Sequence, residues 1–219
     1  FYEVRTLFHE FGHALHTMLA NTTYPSLSGA NVYWDFVELP SQIMENWCYE
    51  KECLEIFAKH YETGESIPIE FIEKIKESSS FMKGISTVRS IGYGLLDMSW
   101  HSVDPTNIKS VKENEFKANS KTRLFPDIDI NCVSVSLSHI FSGGYSSGLY
   151  SYQWAQVLDA DAFEYFKENG IFNPEIGKSF ADNILSKGGT EQPMILYKRF
   201  RGREPRPEAL LKRAGLTNN

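Results

Sequence analysis

A mainly α-helical fold is expected from three observations. Apolar side chains recur at helical spacing in one segment after another. The breaks between segments are short and marked by glycine or proline, at Gly84, Asp104-Pro105, Asn173-Pro174 and Gly188-Gly189-Thr190. Strand-like patterning is sparse, confined to Leu27 through Trp34.

The first expected helix surrounds Leu7-Phe8-His9-Glu10-Phe11-Gly12-His13-Ala14-Leu15-His16. Within it, His9-Glu10-Phe11-Gly12-His13 is an H-E-x-x-H pattern. Positions i and i+4 lie one above the other on a helix face, so two imidazoles at that spacing can grip one metal ion. Glu10 then stands beside the metal, able to take a proton from a water. Leu7, Phe8, Phe11, Ala14 and Leu15 flank the motif, and their apolar character predicts a buried helix. The pattern points to a metallohydrolase, with peptidases foremost.

Catalytic zinc usually takes three protein ligands and leaves a fourth position open. Glu38, in Asp35-Phe36-Val37-Glu38-Leu39-Pro40-Ser41-Gln42-Ile43-Met44-Glu45-Asn46-Trp47, is well placed to complete a His-His-Glu set. Pro40 suits a first helical turn, where a missing N–H costs little. Ile43, Met44 and Trp47 give this second helix a buried stripe. Gln42 and Glu45, one and two turns on, are candidates for hydrogen-bonding the ligands from behind.

Further on, helices are expected near Phe71 to Lys83 and Ile85 to Trp100, separated by Gly84. Asp104-Pro105 opens another through Ile108, Val111 and Phe116, Tyr150 to Phe166 forms a long one, and Asn173-Pro174 starts the next. Gly188-Gly189-Thr190 reads as a flexible turn. The basic cluster from Tyr197 to Pro205 reads as solvated surface. His16, His60 and His101 read as hydrogen-bonded core histidines, whereas that reading fails for His9 and His13 because it strands Glu10 and Glu38 as buried carboxylates.

Composition agrees with a globular chain that can bury a sizeable core: 219 residues, 42% hydrophobic and 23% charged. No segment reaches the uninterrupted apolar length of a membrane span. The net charge of −6, with both signs interspersed, leaves no basic footprint for nucleic acid. Cys48, Cys53 and Cys132 are an odd, scattered set, which suggests reduced thiols and a cytoplasmic setting.

His9-Glu10-Phe11-Gly12-His13, followed by Phe36-Val37-Glu38-Leu39-Pro40-Ser41-Gln42 and Glu45-Asn46-Trp47, strongly resembles the thimet oligopeptidase and peptidyl-dipeptidase Dcp family of zinc metallopeptidases. The resemblance implies His9, His13 and Glu38 as zinc ligands and Glu10 as general base. A third segment, His139-Ile140-Phe141-Ser142-Gly143-Gly144-Tyr145 through Tyr152, also matches. Paired glycines allow close approach of a peptide backbone, and the histidine and tyrosines supply donors for an oxyanion. Taken alone, tyrosines in such a stretch read as packing as readily as catalysis. By position in the family, His139, Tyr145 and Tyr152 are implicated in contacting substrate and stabilising the transition state. Leu149 departs from the pattern, standing where many relatives carry another tyrosine.

The resemblance further implies a zincin-like helical catalytic domain over residues 1–219, forming part of one side of a channel that admits short peptides. The chain opens at Phe1 without an initiator methionine or capping residue, which reads as the C-terminal part of a longer protease. Its expected partners are then short peptide substrates and the missing N-terminal half, with neither nucleic acid nor membrane. Two activities remain open, peptidyl-dipeptidase and oligoendopeptidase, with Asp159-Ala160-Asp161-Ala162-Phe163 tilting slightly to the former by resemblance. The competing reading is a catalytically silent metal-binding fragment. An N,N,O ligand set suits zinc, with manganese or cobalt as alternatives.

Overall fold

The computed structural model describes residues 1–126 and 131–217. Among them the chain is helical, with no β-strand beyond one isolated bridge between Lys59 and Ser66. In chain order the helices are α1 (Tyr2–Met18), α2 (Trp34–Val37), α3 (Leu39–Glu45), α4 (Lys51–Phe57), α5 (Ile69–Ser80), α6 (Lys83–His101), α7 (Val111–Ala118), α8 (Ser138–Phe141), α9 (Ser151–Asn169), α10 (Pro174–Phe180), α11 (Pro193–Arg201) and α12 (Glu208–Arg213). A π-helical turn, Ala181–Leu185, extends α10. They form two compact units, one of Phe1–Phe81 with Ala155–Asn219 and the other of Met82–Trp154. Among the described residues no helix is long and apolar enough to cross a membrane.

In the first unit, α1 packs on α3 through Gly12, which is buried. A Cβ there would lie 2.2 Å from the Pro40 carbonyl oxygen and 2.6 Å from Ser41 Cα. Only a residue without a side chain lets the two backbones approach this closely. Behind α3 lies an aromatic core. Trp47 meets Phe163 and Phe166 at ring separations of 4.8 and 5.0 Å, and its indole donates to the Ile171 carbonyl at 3.1 Å. Phe180 and Phe200 continue the cluster at 5.1 Å.

The second unit is built on α6, whose Gly92, Leu96 and Asp97 are buried. Glu115 of α7 accepts from the Val133 and Ser134 amides at 2.9 and 2.8 Å, and from the Ser134 hydroxyl. Trp100 donates to that same hydroxyl at 3.1 Å. Burial pushes the Glu115 carboxyl up, but these donors to its charged form outweigh it and hold it below the usual range.

Several expectations are corrected. The motif helix is not buried all round: Leu7, Phe11 and Met18 are 65%, 50% and 62% exposed. Two apolar stripes run along α1, and only the Gly12–His16 side is buried. The break between α5 and α6 falls at Phe81-Met82, with Met82 at φ 52°, and Gly84 lies inside α6. Ser78, Ser79 and Ser80 bond back to the carbonyls three residues earlier, satisfying the end of α5 without a glycine. Asp104 caps only the short 3-10 turn Pro105–Asn107, and Ser110 caps α7.

Gly188-Gly189 is a packed turn, not a free one. Gly189 donates to the Leu27 carbonyl at 2.9 Å, and a Cβ on Gly188 would meet that oxygen at 2.1 Å. The expected strand around Leu27 to Trp34 is absent: Leu27 ends the 3-10 turn Pro25–Leu27, turns and bends follow, and Trp34 opens α2. The basic cluster is structural. Arg203 pairs with buried Asp161 at 2.6 Å, Arg201 reaches the same carboxylate at 3.5 Å, and Tyr197 donates to it at 2.8 Å. As for the other histidines, His101 bonds Asp97, whereas His60 is exposed and accepts from the Glu62 and Thr63 amides. His16 is fully buried, yet neither ring nitrogen has a hydrogen-bond partner. Burial first, and His13 second, lower its pKa to about 4.

Candidate metal centre

Helix α1 presents His9 and His13 one turn apart, with ring centroids 5.1 Å from each other. Glu38 joins α2 to α3 in a helical conformation (φ −88°, ψ −5°), so its side chain is set by two short helices. Its Oε2 lies 3.4 Å from His9 Nε2 and 3.3 Å from His13 Nε2. Candidate ligand atoms of the three residues all fall within 4.8 Å of one another. Glu38 is only 3% exposed, whereas the imidazoles are half-buried.

The surroundings hold this arrangement. The Ser41 hydroxyl lies 2.8 Å from Glu38 Oε2 and 3.0 Å from the Glu38 carbonyl. Glu45 Oε1 lies 2.7 Å from His9 Nδ1, and its Oε2 lies 3.4 Å from Arg5 Nε. Burial pulls the His9 pKa down, but the bond to Glu45, with the charges of Glu45, Glu38 and Glu10, overrides it and leaves it raised. Glu10 is solvent-exposed beside His9 and is not one of the clustered ligands. Two imidazole nitrogens and one carboxylate oxygen, converging on a half-open position with the far side of His9 held by a carboxylate, fit a catalytic zinc site.

His139, Tyr145 and Tyr152 lie together in the second unit. The His139 and Tyr145 rings are 6.0 Å apart, and Tyr145 stacks on Tyr152 at 5.1 Å with planes 24° apart. A Cβ on Gly143 would meet His139 Cα at 2.8 Å, which accounts for one glycine, and φ 83° accounts for Gly144. Sequence reading found Glu45 but missed Arg5, Ser41 and Asp97. Ser41 stands three residues after Glu38, the spacing of a side chain that reaches back to a helix start. Asp97 stands four before His101, a pairing distance on a helix. Asp159 pairs with Arg213, and Asp161 with Arg203 and Arg201.

The chain matches Peptidase family M3 over residues 1–216. It is 46% identical over 218 residues to oligopeptidase A of Haemophilus influenzae, covering 99% of this chain and 32% of that protein. To oligopeptidase A of Escherichia coli it is 47% identical over 216 residues, covering 98% of this chain and 32% of that protein. To dipeptidyl carboxypeptidase of Salmonella typhimurium it is 39% identical over 216 residues, again 98% and 32%. The chain thus spans about a third of the length of these relatives. A match reaching from the first residue almost to the last, with the His9, His13 and Glu38 cluster inside it, places this chain in peptidase family M3.

Proposed function

We propose that the chain carries the zinc centre of a metallopeptidase acting on short oligopeptides. The observation that supports this most is the convergence of His9 Nε2, His13 Nε2 and Glu38 Oε2, with Glu10 beside them outside the ligand set. Zinc held by His9, His13 and Glu38 would supply Lewis acidity and would lower the pKa of a water there to about 7. Glu10 would take a proton from that water and return it to the leaving amine. Glu45 holds the His9 ring with Nε2 toward the ligand cluster. The donors we assign to the developing oxyanion, on the family resemblance, are Tyr152 with His139 and Tyr145. Identity of 46–47% to oligopeptidase A against 39% to dipeptidyl carboxypeptidase favours the oligopeptidase reading over the peptidyl-dipeptidase one.

That the chain spans only 32% of its relatives favours a second reading, a metal-binding part that needs further polypeptide for turnover. Metal content together with hydrolysis of a quenched fluorescent oligopeptide, compared with Glu10→Gln, separates the two. Stoichiometric zinc with cleavage lost in the variant is the expected result. Zinc bound without cleavage in either protein supports the second reading, and ordinary activity in Glu10→Gln defeats the assignment.

A further inference from the structure

We infer that Asp97 is the positioning residue of the glycine-rich loop that carries Tyr145 and Tyr152, an inference that rests on the peptidase reading of that loop. Asp97 sits near the end of α6 and is 1% exposed. Its Oδ1 accepts from the Ser147 amide at 2.9 Å and lies 2.8 Å from His101 Nδ1, while Oδ2 accepts from the Leu149 amide at 2.9 Å. Both carboxylate oxygens are thus engaged by backbone N–H groups on either side of Gly148. Bonds of this kind to an ionised acceptor are among the stronger ones in proteins.

The loop needs such an anchor. Ser147 has φ 58°, a conformation that residues with a side chain adopt only when their surroundings impose it. The loop's own bonds run locally. Tyr145 N–H donates to the His139 carbonyl, the Ser146 hydroxyl to Ile140, and Gly148 N–H to Tyr145. These bonds shape the turn, whereas the Asp97 carboxylate ties it to α6. Tyr145 lies two residues before one anchored amide and Tyr152 three after the other, and their rings stack. Asp97 touches neither ring in these contacts, so it acts through the backbone. His101 backs the carboxylate and packs its ring on Phe141 at 5.6 Å.

An asparagine at position 97 keeps the shape but has one acceptor oxygen, so its amide group confronts one of the N–H donors. The test is made on the zinc-loaded protein, using this chain or the longer polypeptide containing it, whichever cleaves the reporter peptide. Asp97→Asn is expected to lower kcat about 10²-fold through misplacement of the loop, with zinc stoichiometry unchanged. KM should move less than about 3-fold. Tyr152→Phe should lower kcat by roughly 10²–10³-fold. The double variant should be about as slow as Tyr152→Phe alone, because both changes remove the same donor. Losses that multiply, or a wild-type kcat in Asp97→Asn, overturn the proposal. An unchanged kcat in Tyr152→Phe defeats the reading of the loop and the role of Asp97 with it. Should Asp97→Asn fail to fold, amide exchange in the unsubstituted protein decides. Ser147 and Leu149 should exchange with D2O as slowly as the amides of α6, and exchange at open-loop rates overturns the anchor.

Discussion

An ionised Glu45 can only accept hydrogen bonds, so its oxygen 2.7 Å from His9 Nδ1 requires that nitrogen to carry the proton. The Nε2 lone pair is then the one offered toward Glu38, which is the tautomer a metal ligand needs. Arg5 Nε lies 3.4 Å from the other oxygen of Glu45 and holds the carboxylate in place. Glu45→Ala should therefore weaken zinc binding by about 10–100-fold while sparing the fold, as loss of a ligand-orienting group typically does. Competition with a chromophoric chelator measures it, and an unaltered affinity would mean that α1 alone orients the ring. Glu45→Gln, which still offers an acceptor oxygen, should fall between the two.

Between elements, the distance from α1 to α3 decides whether the histidines and Glu38 meet. Gly12 sets that distance, since a Cβ would sit 2.2 Å from a backbone oxygen that cannot swing aside. Gly12→Ala is expected to destabilise the protein by about 1–3 kcal/mol or more and to lower bound zinc, because the helices must separate to admit a methyl group. Thermal unfolding and metal analysis read both effects together. The helices themselves were legible from the period of apolar residues and from start signals such as Pro40 and Asn173, which open α3 and α10 as expected. The convergence of His9, His13 and Glu38 was legible because the histidines follow H-E-x-x-H spacing and the segment around Glu38 matches the family. The break at Met82 was not, since serine hydroxyls bonding back along α5 leave no mark as plain as glycine. Nor does sequence periodicity show which of two apolar stripes on α1 finds a partner.

For the molecule as a whole, His16 links stability to pH. Its pKa is about 4 in the fold against 6.5 for the ordinary group, because burial first and His13 second disfavour the charge. Below pH 6.5 the unfolded chain takes up a proton that the folded one refuses. The stabilisation is thus complete above that pH and is lost as the pH falls toward 4. The full effect is on the order of 3 kcal/mol. Urea unfolding at pH 7 and pH 4.5, with chelator present throughout, should show a larger loss for the native sequence than for His16→Leu. Equal losses would remove His16 as the cause. The basic residues near the C-terminal end were the least legible feature, because their carboxylate partners lie about 40 residues earlier, on α9.

One of these long pairings bears on how the protein is made. Arg213 on α12 donates to Asn46, at the end of α3, and to Asp159, and Asn46 donates to the same carboxylate. Asn46 and Arg213 are 167 positions apart. A chain emerging from the ribosome has released His9, His13 and Glu38 well before the guanidinium that pairs with the buried Asp159 carboxylate. The support that α12 gives to α3 and α9 therefore forms only after both of those helices have been synthesised, and their packing there stays open until Arg213 arrives.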